Sequence, residues 1–261
     1  MKVRWIMLSY VVLIFTSCSH VYTPALYRRD IIYQPKPSSF DTVKAATYIS
    51  AALNLAPFVN HNDQQESGQI NVSRGYVFNH INLSYGAFGL LGDYENGAIA
   101  TGKANYFINK YYGALGARAS ANLFSTSSSE RSEYRYLGFE AAYSHEFGAY
   151  AGFRQLLNSQ PGYYVDPRTD LFTIGLTTEI LTRTADKKVQ QSLRLFLGST
   201  LGYDQLTDAN NKKAARDVYP QFFDPGFLGL YPKVSYYIKV KNYFGTAEIG
   251  GGIFMRFGRI F

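Results

Sequence analysis

Residues 233–241 read Lys-Val-Ser-Tyr-Tyr-Ile-Lys-Val-Lys. Val234, Tyr236, Ile238 and Val240 share one parity; Lys233, Ser235, Tyr237, Lys239 and Lys241 share the other. Neighbouring side chains of a strand point to opposite faces, so this stretch predicts a strand with one apolar and one polar face. The same two-step alternation sets Leu193, Leu195, Leu197 and Leu201 against Arg194, Gly198, Thr200 and Gly202. It also sets Phe172, Ile174, Leu176 and Ile180 against Thr173, Gly175, Thr177 and Glu179. Similar stripes run over 47–55, 76–91, 111–125, 133–145, 149–157 and 246–261, and no segment carries a long helical period. The expectation is an all-β chain built from antiparallel strands.

Composition bears on where the two faces point. Of 261 residues 46% are apolar but only 17% charged, below the roughly 25% of ordinary soluble domains. Tyr (23), Phe (19) and Gly (23) are abundant, and mean hydropathy is −0.16. That average excludes a bundle of membrane helices, which needs apolar runs of about 20 residues. One cysteine excludes a disulfide framework and a multi-cysteine metal site. A soluble sandwich turns its polar faces to water and charges them heavily. A transmembrane barrel turns apolar faces to lipid, lines its lumen with the polar ones and rings both interfaces with aromatics. Low charge with excess Tyr, Phe and Gly favours the second: an antiparallel up-and-down barrel of eight to ten strands, with 44–261 as its single domain. Single-chain bacterial barrels have an even strand number. The stripes above number nine, so either 98–107 adds a tenth or one stripe is not a strand. The alternative is a lipid-anchored, lipocalin-like binding barrel with the apolar face inward around a ligand. The direction of Val234, Tyr236, Ile238 and Val240 separates the two.

The amino end assigns a compartment. Lys2 and Arg4 precede an apolar run from Trp5 to Phe15, too short to span a bilayer and suited to a signal-peptide core. It ends in Phe15-Thr16-Ser17-Cys18, which resembles the lipobox of bacterial lipoproteins, with Phe15 in place of the usual Leu. The resemblance implies removal of residues 1–17 and a lipid on Cys18. Ser19, in place of an Asp, implies delivery to the outer membrane. No acid lies between Ser19 and Arg29, which points to the periplasmic leaflet. Residues 18–43, broken by Pro24, Pro35, Pro37, Ser38 and Ser39, read as an irregular tether. At the other end, Ile253, Met255 and Phe257 share the parity of the terminal Phe261. This resembles the closing strand of bacterial outer-membrane barrels; Arg259 interrupts the stripe where a long side chain can reach the interface.

Charges on the polar faces pair across the hairpins in the registers that keep apolar residues together. A loop centred on Ser129 sets Arg118 against Glu140, and a tight turn at 146–148 sets Glu140 against Arg154. A loop over Asp186 and Lys187 sets Glu179 against Arg194, and a four-residue turn at 242–245 sets Lys239 against Glu248. An unpaired charge in a low-dielectric lumen is expensive, so these seven residues read as lumen ion pairs, more a structural plug than a conducting path. No catalytic, metal or cofactor motif is present. Ser144, His145 and Glu146 are consecutive and cannot share a strand face. His80 falls on the polar face, and His61 in a polar loop. The expectation is a non-enzyme in contact with outer-membrane lipid, with an envelope protein as a further partner and no nucleic acid. Lys212, Lys213 and Arg216 could meet lipopolysaccharide phosphates.

Overall fold

A computed structural model describes residues 21–57, 63–96, 102–103, 105–129, 131–161, 163–202 and 230–261. Cys18, His20, His61, the 212–216 basic cluster and the whole signal-peptide reading lie outside them. Ten antiparallel strands close into a barrel. In chain order they are β2 (Ala45–Pro57), β3 (Gln64–Val77), β4 (Ile81–Glu95), β5 (Asn109–Thr126), β6 (Ser132–Phe147), β8 (Asp170–Arg183), β9 (Val189–Thr200), β10 (Tyr231–Val240), β11 (Tyr243–Ile249) and β12 (Ile253–Ile260). Each pairs with its successor, and β12 returns to β2. Two short strands, β1 (Val21–Tyr22) and β7 (Tyr164–Val165), pair in parallel outside this ring.

The faces settle the main alternative. Val234, Tyr236, Ile238 and Val240 are 44, 43, 38 and 43% exposed, while Lys233 and Ser235 are buried. Leu193, Leu195 and Leu197 also face outward, as do Phe172, Leu176 and Ile180. The lumen takes the polar parity, so the barrel is inside-out relative to a lipocalin, and the lipocalin-like alternative is set aside. The closing strand follows the same rule: Ile253, Met255, Phe257 and Phe261 are exposed. Arg259 points outward too, its guanidinium 5.0 Å from the Phe261 ring. Outward aromatics mark both rims: Phe78, Tyr134, Tyr136 and Tyr243 at one, Tyr111, Phe147 and Phe172 at the other.

Several boundaries differ from the sequence reading, each for a local reason. The 149–157 stripe is a helix, α1 (Ala149–Asn158), burying Tyr150, Phe153, Arg154 and Leu157 at helical spacing. Gly148, at φ +114, opens the helix rather than a hairpin. The missing strand is β3, whose outward face carries Gln64, Glu66, Gly68 and Arg74 beside Ile70 and Val72, a mixture that hides the alternation. The 246–261 stripe is two strands, β11 and β12, turned at 250–252. Of 98–107, the described residues Gly102, Lys103 and Asn105–Phe107 form no strand. A β-bulge between Arg135 and Gly138 turns both Tyr136 and Leu137 outward, so Glu133 and Arg135 face the lumen together with Gly138 and Glu140. Gly138 leaves room for the Asn122 side chain: a Cβ there would lie 1.8 Å from the Asn122 amide nitrogen and displace it.

The ends are unlike. The turns at 78–80, 127–131, 184–188 and 241–242 are short and share one end with Ala45 and the carboxyl terminus. The opposite end carries the longer connections 96–108, 148–169 and 201–230.

Candidate functional site, an occupied lumen

The tether does not hang free of the barrel. It is irregular, as its prolines require, but every residue from Val21 to Ser38 except Arg28 is buried. Beyond the Val21–Tyr22 pairing with β7 the segment must satisfy its backbone groups another way, and wall side chains take a large share. The Ala25 amide donates to Glu146 at 2.6 Å. The Tyr33 amide donates to both Glu248 carboxylate oxygens, at 2.9 and 3.0 Å. The Ser39 amide donates to Glu133 at 2.5 Å. Carbonyls are met by cations: Asp30 by Arg118, Ile31 by Lys233, Tyr33 by Arg256 at 2.5 Å and Pro37 by Arg135 at 3.3 Å. Hydrogen bonds to charged groups contribute about 1.5–3 kcal/mol each, so the segment is fastened along its length.

Its side chains complete the filling. The Tyr33 hydroxyl donates to Glu179 at 2.6 Å, and its ring stacks on Tyr237 with centroids 5.1 Å apart. Lys36 donates to Asn122 at 2.6 Å and to Ser120. Near the long-loop end Tyr22, Ala25 and Leu26 join an apolar cluster with Tyr94, Tyr112, Tyr150 and Phe153. At the short-turn end Asp41 accepts from Gln190 at 2.6 Å and from Lys239 at 3.0 Å. Burial works against the Asp41 charge, but Lys239, the Ser38 amide and Gln190 outweigh it and hold the carboxyl below its ordinary value.

Of the expected lumen charges, Arg118, Glu140, Arg154, Glu179, Arg194 and Glu248 are buried inside and Lys239 is partly so. Their partners are largely not those of the hairpin registers. Glu179 does stand opposite Arg194, but it pairs with Arg135 at 2.8 Å. Arg194 instead spans intervening strands to Glu140 on β6 and Glu248 on β11, the latter at 3.4 Å. Ser120, two residues from Arg118, lies opposite Glu140, and Arg118 turns to Asn71 at 2.8 Å. Arg154 sits on α1 and pairs with Glu146 at 2.6 Å. Lys239 lies opposite Phe244, because the β10–β11 connection is a two-residue turn at Lys241-Asn242 with Lys241 at φ 55. In a narrow lumen an arginine reaches across several strands, so the strand neighbour is not the default partner.

Glu133, Arg135, Glu146, Lys233 and Arg256 stand outside the seven charges that the hairpin registers pair. Alternation alone places Lys233 inward; the bulge conceals Glu133 and Arg135. On the outside, His145 Nδ1 lies 2.9 Å from Asp170 and the Tyr143 hydroxyl donates to the same carboxylate at 2.5 Å. Ser144 and Glu146 are buried inward, as the alternation requires. His80 is exposed in the β3–β4 turn rather than in the lumen.

No protein-family model and no curated protein matches the chain. Solved structures with a similar course include an outer membrane channel from Pseudomonas putida F1, 8% identical, TM-score 0.44, covering 87% of this chain and 100% of that one. The transport unit of the autotransporter AIDA-I from Escherichia coli is 5% identical, TM-score 0.43, covering 90% of this chain and 94% of that one. The translocator domain of the autotransporter NalP from Neisseria meningitidis is 8% identical, TM-score 0.33, covering 85 and 90%. At these identities and scores the likeness transfers no activity to this chain, which stands on its own geometry as a closed ten-stranded barrel with its amino-terminal segment in the lumen.

Proposed function

We propose that this chain is an outer-membrane β-barrel lipoprotein whose own amino-terminal segment closes the lumen, giving it a structural or accessory role in the envelope rather than that of an open pore. The observation behind this reading is the run from Val21 to Ser39, nearly all of it buried and hydrogen-bonded to Glu146, Glu248, Glu133, Lys233, Arg256 and Arg135. The membrane assignment draws on the apolar outer face with aromatics at both rims, and the lipid anchor on the lipobox at Cys18. Outer-membrane lipid is the direct partner, with lipopolysaccharide at the long-loop end. No catalytic role is assigned to His145 or any other residue.

Two measurements test the reading. In planar bilayers the full mature chain is expected to be electrically silent, while a Glu133→Ala/Glu248→Ala variant shows intermittent steps as the segment loosens. Steady conductance from the unaltered chain would mean an open pore. For the membrane assignment, the Cys18→Ala variant should stay in the membrane through carbonate extraction and keep heat-modifiable gel mobility. Its release as soluble protein would make the lipid the sole anchor.

A further inference from the structure

The lumen segment has a direction, and strand β6 measures it. Ala25 meets Glu146, one residue from the long-loop end of β6; Pro37 meets Arg135; Ser39 meets Glu133 near the short-turn end. Independent strands agree. Arg29 donates to Gly251 in the turn between β11 and β12, at the long-loop end, at 2.6 Å. Tyr33 lies midway at Glu248 and Glu179, and Asp41 reaches Gln190 and Lys239 beside the short turns. The chain therefore runs down the lumen from the long-loop end and then enters β2 at the opposite rim. Its described start is pinned at the long-loop end twice, by the β1–β7 pairing at Val21-Tyr22 and by the Tyr150 hydroxyl donating to the Thr23 carbonyl at 2.9 Å.

In outer-membrane barrels the short turns face the periplasm and the longer loops the exterior. We propose that the mature amino end leaves the lumen at the cell-surface side, so that a lipid on Cys18 inserts into the outward-facing leaflet, opposite the leaflet beside Phe261. The proposal rests on the outer-membrane lipoprotein reading and reverses the periplasmic-leaflet expectation drawn from residues 19–29. Reach decides it. Cys18 is three residues before Val21, a span of at most about 11 Å, whereas the hydrocarbon core separating the leaflets is about 30 Å thick. A lipid tied to Cys18 cannot enter the periplasmic leaflet while Val21 remains paired with Tyr164. The anchor and the wall then hold the segment together: the acyl chains fix its upper end, and β2 its lower end.

The test uses the full precursor in intact cells with one epitope per variant, inserted between Ser19 and His20, between Lys212 and Lys213, or after Phe261. Each variant is treated with external protease before and after the outer membrane is permeabilised. The expected result is loss of the Ser19 and Lys212 epitopes from intact cells at similar rates, with the Phe261 epitope lost only after permeabilisation. Loss at Lys212 with protection at Ser19 overturns the threading while leaving the outer-membrane reading standing. Protection at Lys212 overturns the outer-membrane orientation itself, and the proposal falls with it. Palmitate labelling of the Ser19-tagged chain, absent when Cys18→Ala is added, shows that the tagged end carries the lipid; labelling that persists without Cys18 removes the leaflet assignment.

Discussion

The lumen has two unlike walls. From β6 round to β12 the inward residues include many charges: Glu133, Arg135, Glu140, Glu179, Arg194, Lys233, Glu248 and Arg256. From β2 to β4 the inward polar side chains are uncharged: Ser50, Asn54, Gln65, Ser67, Gln69, Asn71, Ser73, Asn82 and Ser84. The central segment engages them differently. The charged wall meets its amides and carbonyls at Tyr33, Ile31, Pro37 and Ser39, while on the neutral strands Ser84 donates to the Gln34 amide oxygen at 3.2 Å and Tyr48 packs in one apolar cluster with Tyr33. On the neutral wall the Gln65 and Asn82 side chains have no hydrogen-bond partner among the described residues. Charges are expensive to bury, and here they are balanced partly by each other and partly by the segment. The segment is thus part of the electrostatic balance of the charged wall, and only a filler beside the neutral one.

Breaking the charged wall should have the largest effect. Arg135→Ala leaves Glu133 and Glu179 without their shared cation, and removing one member of such a buried group costs about 3–5 kcal/mol. A marked fall in the temperature at which the barrel loses its heat-modifiable gel form is expected; an unchanged transition would mean that the charged wall is not what holds the barrel shut. Glu248→Gln keeps the shape but weakens the pairing with Arg194 and the bonds from the Tyr33 amide, a loss of about 1.5–3 kcal/mol on the scale of charged hydrogen bonds. This variant should also make the segment more open to proteolysis in detergent, measured as the rate at which fragments cut between residues 21 and 43 accumulate.

Acid should loosen the lower end. The Asp41 carboxyl is held below its ordinary value in the folded chain, so its contribution is complete above the unfolded value of about 3.9 and is lost as the pH falls through the folded one. Susceptibility to cutting near Asp41 should rise below about pH 4, and Asp41→Asn should flatten that dependence. The smallest effect is expected on the neutral wall. Asn82→Ala removes an amide that has no described partner and should shift stability by under about 1 kcal/mol. A loss as large as that of Arg135→Ala would erase the distinction between the walls.

Much of this fold was legible in the residues because alternation is a local property. Val234 to Val240, Leu193 to Leu197 and Ile253 to Phe257 declare which parity is apolar, and the barrel obeys them all. Where the signal was diluted the reading slipped: β3 mixes Gln, Glu and Arg into its outward face, and 149–157 carries apolar residues that satisfy both a strand and a helix period until Tyr150, Phe153, Arg154 and Leu157 are seen packed together. The candidate site was half legible. Alternation put Arg118, Glu140, Glu179, Arg194 and Glu248 on the inward face but not their partners, since a two-residue register shift preserves every face while exchanging every pair; Arg154 is buried on α1, where strand alternation does not apply.

The sequence by itself determined that the chain is all-β, which side of each clear strand is apolar, and that the proline-broken stretch before β2 forms no long regular element, because these follow from side-chain chemistry and spacing along the chain. Only the tertiary structure decided that the apolar side faces out, that the charges pair across the lumen, and that the irregular segment runs through it. Those three depend on closure. Once ten strands form a ring, a set of buried charges faces inward, and Ala25–Ser39 is the piece of chain whose backbone amides and carbonyls meet them.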